Sequence, residues 1–168
     1  MAYVDPVAGA KREGAASAVA TADLAAQSVT SAKIAEAVMQ FVQVPLTAAQ
    51  IIAMGTTPIS LIAAQGAGKI IIVHSILFKM VRTSTAFTGG GAVEFRYTDA
   101  SGAKVSADVA AALITTGGAG TAYAHVAGIE ASITPVANAA LVITNATAAF
   151  AAGTGTAQVS ISYRVVTA

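Results

Sequence analysis

A strict alternation of apolar and polar residues near the carboxyl end is the feature that most restricts how this chain can fold. Over residues 159–165, Val, Ile, Tyr and Val alternate with Ser, Ser and Arg. A period of two places successive side chains on opposite faces of an extended strand, whereas a helix would scatter them around its axis. The segment 93–97 repeats the pattern, with Val, Phe and Tyr against Glu and Arg. Both segments therefore predict strands that are buried on one face.

Further short apolar segments, separated by glycine- and threonine-rich turns, extend the strand pattern over a domain at residues 39–168. They make about eight strands at roughly 8–12-residue spacing, which is typical of a sandwich or jelly roll. One short helix is expected at 48–54, with Thr47 as its N-cap and Gly55 closing it. The sequence thus predicts an all-β fold, an antiparallel β-sandwich of jelly-roll type. The predicted strands cover residues 41–44, 59–62, 69–82, 92–97, 109–114, 124–133, 140–144 and 159–165.

Residues 1–38 have a different character and are predicted to form an extended N-terminal arm. The arm contains a weak repeat, in which Ala22-Asp-Leu-Ala25 aligns with Ala32-Lys-Ile-Ala35. A short helix over 31–38 is the alternative. In both interpretations the apolar stripe is too thin for a lone chain to bury, so it has to pack against another part of the molecule or another subunit. The candidate contact residues of the arm are Leu24, Val29, Ile34 and Val38.

The low charge content excludes several classes of protein. Charged residues make up 10% of the chain, and nine basic against eight acidic residues leave a net charge of +1. A nucleic-acid-binding protein needs a clustered basic surface, and a disordered chain has low hydrophobicity with high net charge. The most apolar stretch, 70–81, is interrupted by His74 and Lys79 and is shorter than the roughly 20 residues of a membrane-spanning helix. We therefore expect neither nucleic acid nor a membrane as a partner.

Short stretches of the sequence resemble catalytic or binding motifs but lack residues that those motifs require. The stretch 66–69, Gly-Ala-Gly-Lys, resembles the end of a phosphate-binding loop, but Ala63 stands where that loop needs a glycine. Ile70 stands where it needs Ser or Thr. The chain has no cysteine, and its two histidines cannot form an ordinary structural zinc site without carboxylates or a neighbouring subunit. We predict no enzyme activity, no cofactor and no metal site, with a histidine site on a trimer axis as the remaining alternative.

For three titratable side chains the sequence predicts a structural role rather than a catalytic or metal-binding one. His74 lies within an apolar strand, so a hydrogen-bonded position in the core or in an interface is expected. His125 opens a strand after a glycine-rich loop, which favours a solvated position. Glu94 alternates outward beside Arg96, so a cross-strand ion pair on the surface is expected.

The arm resembles repeats of bacteriophage tail-fibre and head-fibre proteins. Residues 22–35 read Ala-Asp-Leu-Ala-Ala-Gln-Ser-Val-Thr-Ser-Ala-Lys-Ile-Ala, which is similar to the S-V-T-x-A-K-[IL]-A pattern of those fibres. The stretch 44–53, Val-Pro-Leu-Thr-Ala-Ala-Gln-Ile-Ile-Ala, with Thr57-Pro and 64–69 after it, looks like a module of small phage virion proteins. Capsid decoration and head-fibre components are among these. The resemblance covers roughly residues 22–82.

This resemblance implies a homotrimeric virion structural protein, located on the capsid surface and made in the host cytoplasm. Its partners would be its sister chains and the major capsid protein, with residues 1–38 making most capsid contacts and strands of 40–168 forming the trimer. Two repeats are far fewer than a long fibre shaft carries, which favours a capsid decoration or cement protein that bridges neighbouring capsomers. The alternative is a tail-fibre or receptor-binding module that contacts a glycan on the host surface.

Overall fold

The computed structural model of the chain describes residues 38–128 and 134–168. Strands dominate these ranges, with two short helices between them. In chain order the elements are β1 Gln40–Leu46, α1 Ala48–Ala53, β2 Ile59–Ile62, β3 Lys69–Arg82, β4 Thr88–Gly89, β5 Val93–Tyr97, α2 Ala112–Thr115, β6 Gly120–Ala127, β7 Leu141–Asn145, β8 Phe150–Ala151 and β9 Thr156–Thr167.

The strands of the described residues form one four-stranded, one three-stranded and one two-stranded sheet. The orders are β1-β9-β3-β6, β2-β7-β5 and β4-β8, and all pairings are antiparallel. The segment 103–109 runs beside β5, where Val109 bridges Val93 and Lys104 bridges Arg96. The predicted all-β antiparallel sandwich is therefore confirmed, and its jelly-roll type stays a prediction.

Strand β9 shows how the sequence alternation produces two different sheet faces. It pairs with β1 on one side and with β3 on the other. Val159, Ile161 and Tyr163 are buried, while Ser160 and Ser162 between them are partly exposed. Because paired residues of neighbouring strands point to the same face, this alternation carries across the sheet. The four-stranded sheet consequently has one core face and one outer face, as its sequence predicts.

The hydrophobic core takes buried side chains from both larger sheets. The Tyr97 hydroxyl, on β5, donates a hydrogen bond to the Ile71 carbonyl on β3 and so links the sheets. Burial raises the pKa of Tyr97 to about 12, which keeps the hydroxyl protonated well into the alkaline range. The aromatic members of the fully buried set are Tyr97, Phe78, Phe87, Phe95 and Phe150.

The N-terminal end of helix α1 is capped as the sequence predicts. The Thr47 hydroxyl oxygen accepts a hydrogen bond from the Gln50 backbone N–H at 3.3 Å. In return, the Gln50 side-chain oxygen accepts one from the Thr47 backbone N–H at 2.9 Å. This capping box satisfies two N–H groups that the helix itself cannot pair. With Ile51 buried, it holds a helix of six residues between β1 and β2.

The predicted strand at 109–114 is wrong beyond its first residues. Residues 112–115 form α2, where the Ile114 and Thr115 backbone N–H groups donate to the Ala111 carbonyl. A short apolar run has the same composition in a buried strand and in a buried helical turn, so periodicity does not separate them. Strands β4 and β8 have two residues each, too few for a periodic signal. Of the predicted strand 124–133, the part at 129–133 lies outside the described residues.

Candidate interaction surface

The candidate site is the outer face of the four-stranded sheet, here called the exposed sheet face. Strand pairing brings twelve of its residues into three rows that run across β1, β9, β3 and β6. All twelve are partly or fully exposed. The rows are Phe41, Ser162, Ser75 and Ala127; Gln43, Ser160, Leu77 and His125; and Pro45, Gln158, Lys79 and Tyr123.

Large apolar side chains form a diagonal across this face. Phe41 on β1 is 78% exposed, Leu77 on β3 is 39% exposed and Tyr123 on β6 is 59% exposed. Each row contains one of these three side chains, so the diagonal runs from edge strand β1 to edge strand β6. Among the described residues, the other large exposed hydrophobic side chains are Val38 and Met39, which lead directly into β1. This concentration of exposed apolar surface is typical of a protein contact site.

Between the apolar side chains the face carries neutral hydroxyl and amide groups. The Oγ atoms of Ser75 and Ser162 lie 2.7 Å apart in a hydrogen bond. Gln158 Nε2 donates to Gln43 Oε1 over a longer distance of 3.5 Å. Neutral polar groups cost much less to remove from water than ions do. Another protein can therefore cover this part of the sheet at a low desolvation cost.

The charges of the exposed sheet face are positive. Lys79 lies in the third row, and Arg164 lies on β9 one row beyond the first. The Nε atom of Arg164 is buried and has no hydrogen-bond partner within the described part of the chain. In that part, none of the side-chain carboxylates lies on β1, β9, β3 or β6. These carboxylates belong to Glu94, Asp99 and Asp108.

On the three-stranded sheet, Glu94 is the centre of a small ion-pair cluster. Its Oε2 accepts a hydrogen bond from Arg96 Nε at 2.7 Å, and its Oε1 lies 2.7 Å from Lys104 Nζ. Lys104 Nζ also contacts Asp108 Oδ2 at 2.8 Å. The predicted surface position of Glu94 is thus wrong, since Glu94 is only 6% exposed, and its contact with Arg96 lies within β5. The cross-strand partner is Lys104, from the segment beside β5.

Protonation of Glu94 is expected to destabilise the fold in acid. Desolvation raises the pKa of this carboxyl, but the hydrogen bonds and charges of Arg96 and Lys104 outweigh it, so the pKa of Glu94 lies below its ordinary value. Such a group stabilises the fold above its unfolded pKa, and this contribution is lost as pH falls through the folded pKa. Thermal unfolding from about pH 7 to about pH 3 measures the effect. Glu94→Gln should be less stable than wild type near neutral pH, and the two should converge in acid; a constant Tm difference would contradict this role.

The structure describes one of the four predicted arm contact residues. Val38 is 45% exposed and precedes β1 by two positions. Leu24, Val29 and Ile34 lie outside the described residues. The division into an arm at 1–38 and a domain at 39–168 therefore stays a prediction.

Sequence reasoning does not single out the residues of the diagonal. A signal is present in β1, where Phe41 and Val42 are adjacent apolar residues on one strand. Successive side chains of a strand face opposite sides, so one of the two has to point away from the core. Leu77 also has apolar neighbours on both sides, but alternation does not show which set faces the core. Tyr123 stands between alanines, which give no contrast.

The structure also locates the glycine-rich stretch 66–69 and the two histidines considered as candidate site residues. Residues 66–69 form a turn into β3, in which the Lys69 backbone N–H donates to the Gly66 carbonyl at 3.1 Å. His74 lies at the register shift between Val73 and Ser75, and His125 is exposed on the exposed sheet face. Within residues 38–128 and 134–168, no three His, Asp or Glu side chains are grouped closely enough to hold a metal ion.

No helix in the described ranges has the length and hydropathy to cross a membrane.

Comparisons with known proteins identify one similar solved structure and no related sequence family. No family model matches the chain, and no curated protein matches it. Among solved structures, the chain is similar to one from the cyanophage Pam1 capsid asymmetric unit, with a TM-score of 0.40 and 15% sequence identity. The alignment covers 82% of this chain and 98% of that chain. A likeness at this level carries no argument about function, which has to come from the residues and their arrangement.

Proposed function

We propose that the chain is a virion structural protein, a homotrimeric capsid decoration or cement protein. In this role it binds the major capsid protein on the outer shell and stabilises the shell by bridging neighbouring capsomers. The observation that carries the proposal is the exposed sheet face. Its aromatic side chains Phe41 and Tyr123 keep most of their surface in solvent, so they do little for the core. Aromatic anchors on a weakly charged surface are the features by which proteins bind one another.

The dimensions of the face indicate that it is one part of a larger contact. With strands about 4.8 Å apart and about 3.3 Å per residue, three rows on four strands cover roughly 400 Å². A stable interface takes about 800 Å² from each partner. Additional segments have to supply the difference, and residues 1–38 are predicted to do so on the capsid.

Trimerisation would multiply contacts that are individually modest. An arm that becomes ordered on binding loses conformational entropy, but it can lie across a large surface. When three linked arms bind three symmetry-related sites, the second and third binding events are intramolecular and add avidity. The resemblance of residues 22–35 to phage fibre repeats supports this arrangement.

Deletion of residues 1–38 is expected to abolish binding to capsid shells and to leave a folded trimer. Strand β1 begins at Gln40, and Leu46 is the first buried hydrophobic residue of the described core, so the deletion removes no described core residue. Co-sedimentation with shells stripped of the protein measures binding, and light scattering measures the oligomeric state. Deletion of 1–20 is the control, because it keeps the repeat at 22–35 and should preserve binding. Shell binding by the chain that lacks 1–38 would contradict the role of the arm.

The same aromatic rings support a second candidate function. An exposed ring on a flat surface can stack on a sugar, so a tail-fibre or receptor-binding module that contacts a host glycan is the alternative. Phe41 and Tyr123 would then form the glycan site. A glycan array and a cell-binding assay separate the two functions. Binding to host cells without binding to shells would favour the alternative.

A further inference from the structure

We propose that the exposed sheet face binds an acidic protein surface of the shell and does not bind a second copy of this chain. The inference rests on the proposed function, because it assigns the chemistry of the partner that this face contacts. Lys79 and Arg164 form ion pairs with carboxylates of the shell. Phe41 and Tyr123 pack against apolar side chains between those carboxylates.

The spacing of the two cations indicates contacts with separate carboxylates. Lys79 pairs with Gln158, which lies six positions before Arg164 on β9. At about 3.3 Å per residue, the two cations are about 20 Å apart along the strand direction. Leu77 and Ser160 lie between them and carry no charge. A complementary surface therefore has two acidic positions with a neutral, partly apolar region between them.

Arg164 adds a second reason to expect an acidic partner. Its Nε donor is buried and has no acceptor within the described part of the chain. Because the chain itself encloses this donor, a partner meets the terminal N–H groups of the guanidinium, and these bind carboxylates strongly. A carboxylate of the partner, placed over this end of the sheet, would pair with the terminal N–H groups of the guanidinium and neutralise its charge.

The same charges argue against a second copy as the occupant. Packing two of these faces together would bring four cations into a contact to which, in the described residues, the faces add no carboxylate. The three described carboxylates already have partners: Glu94 and Asp108 contact Lys104, and Asp99 accepts hydrogen bonds from Ser101. Like charges brought together in an interface reduce affinity.

Nucleic acid fits the face less well than an acidic protein does. DNA-binding proteins commonly neutralise about 6–10 phosphates, and each contact needs a cation or another strong donor. The exposed sheet face offers Lys79 and Arg164, with apolar side chains rather than further cations around them. Few cations beside aromatic anchors suit a protein surface with a small number of carboxylates.

The test measures binding of the full-length chain to stripped capsid shells for wild type and two double variants. Lys79→Gln/Arg164→Gln removes the two positive charges from the face. Ala64→Glu/Ala107→Glu is the control, because it lowers the net charge by the same amount at exposed loop positions off the face. The face variant should bind about 10- to 100-fold more weakly, and the control should stay within about twofold of wild type. Wild-type binding should also weaken as ionic strength rises from about 0.05 M to about 0.5 M.

Each contrary outcome identifies which proposal fails. If wild type binds shells and the face variant binds equally well, the inference is overturned and the proposed function stands. If light scattering shows that the face variant loses its oligomeric state, a second copy occupies the face and the inference is overturned. If wild type binds double-stranded DNA as tightly as it binds shells, the partner chemistry is wrong. If wild type binds no shells at any ionic strength, the proposed function and the inference fail together.

Discussion

Replacement of Phe78 with alanine is expected to lower the free energy of unfolding by about 3–5 kcal/mol. Phe78 lies on the core face of β3 and is fully buried. It pairs with Val159 on β9 and with Ala124 on β6, so a strand on each side holds its backbone in place. The core therefore cannot collapse around the lost ring, and the cavity adds to the lost transfer free energy. Urea unfolding curves measure the change.

Phe41→Ala is the matched control on the same sheet. Phe41 is the same residue type at 78% exposure on an edge strand, so its truncation removes little buried area. We expect its free energy of unfolding to stay within about 0.5 kcal/mol of wild type. The same variant should bind capsid shells more weakly, because Phe41 lies on the exposed sheet face. Similar stability losses in both variants would contradict the assignment of the two faces.

Gly102→Ala is expected to lower the free energy of unfolding by about 2–4 kcal/mol. Gly102 follows β5, and a Cβ atom there would overlap the backbone carbonyl oxygen of Tyr97, which cannot rotate away. A shift of this turn would disturb two further bonds. The Tyr97 N–H donates to the Ala103 carbonyl at 3.0 Å, and the Gly102 carbonyl accepts from Arg96 Nη1 at 2.6 Å. Differential scanning calorimetry measures the loss of stability.

Gly118→Ala is the control for the backbone effect of adding a methyl group. A Cβ at Gly118 would meet no heavy atom within 4 Å. Where the native backbone tolerates alanine, the substitution stabilises a protein by about 0.4–1 kcal/mol, because it restricts the unfolded chain. We therefore expect Gly118→Ala to be neutral or slightly stabilising. A Gly102→Ala protein as stable as Gly118→Ala would show that the turn yields to the added methyl group.

Several strands of this protein are predictable from sequence because their signal is local. The predicted strand 69–82 and the predicted strand 59–62 coincide with β3 and β2, and the predicted strand 159–165 lies within β9. In contrast, α2 overlaps the end of a predicted strand, because four apolar or threonine residues fit a helical turn as well as an extended segment.

The ion-pair cluster was predictable only in part. The alternation of β5 places Glu94 and Arg96 on one face, which the sequence shows. The burial of Glu94 depends on Lys104, which bonds to it because the segment 103–109 runs beside β5. A contact between strands of separate segments leaves no local trace in the sequence.

The sequence alone determines that this chain forms an antiparallel β-sandwich, and it determines the inward side of strands such as β9. A period of two is a property of neighbouring residues, so the alternation can be recognised in the sequence without knowledge of the fold. The tertiary structure alone decides which strands are neighbours and in what register they pair. That pairing places Phe41, Leu77 and Tyr123 on one outer face and leaves the described carboxylates off that face. The physical reason is that strand pairing joins segments far apart in the chain, and register depends on packing across the whole sheet.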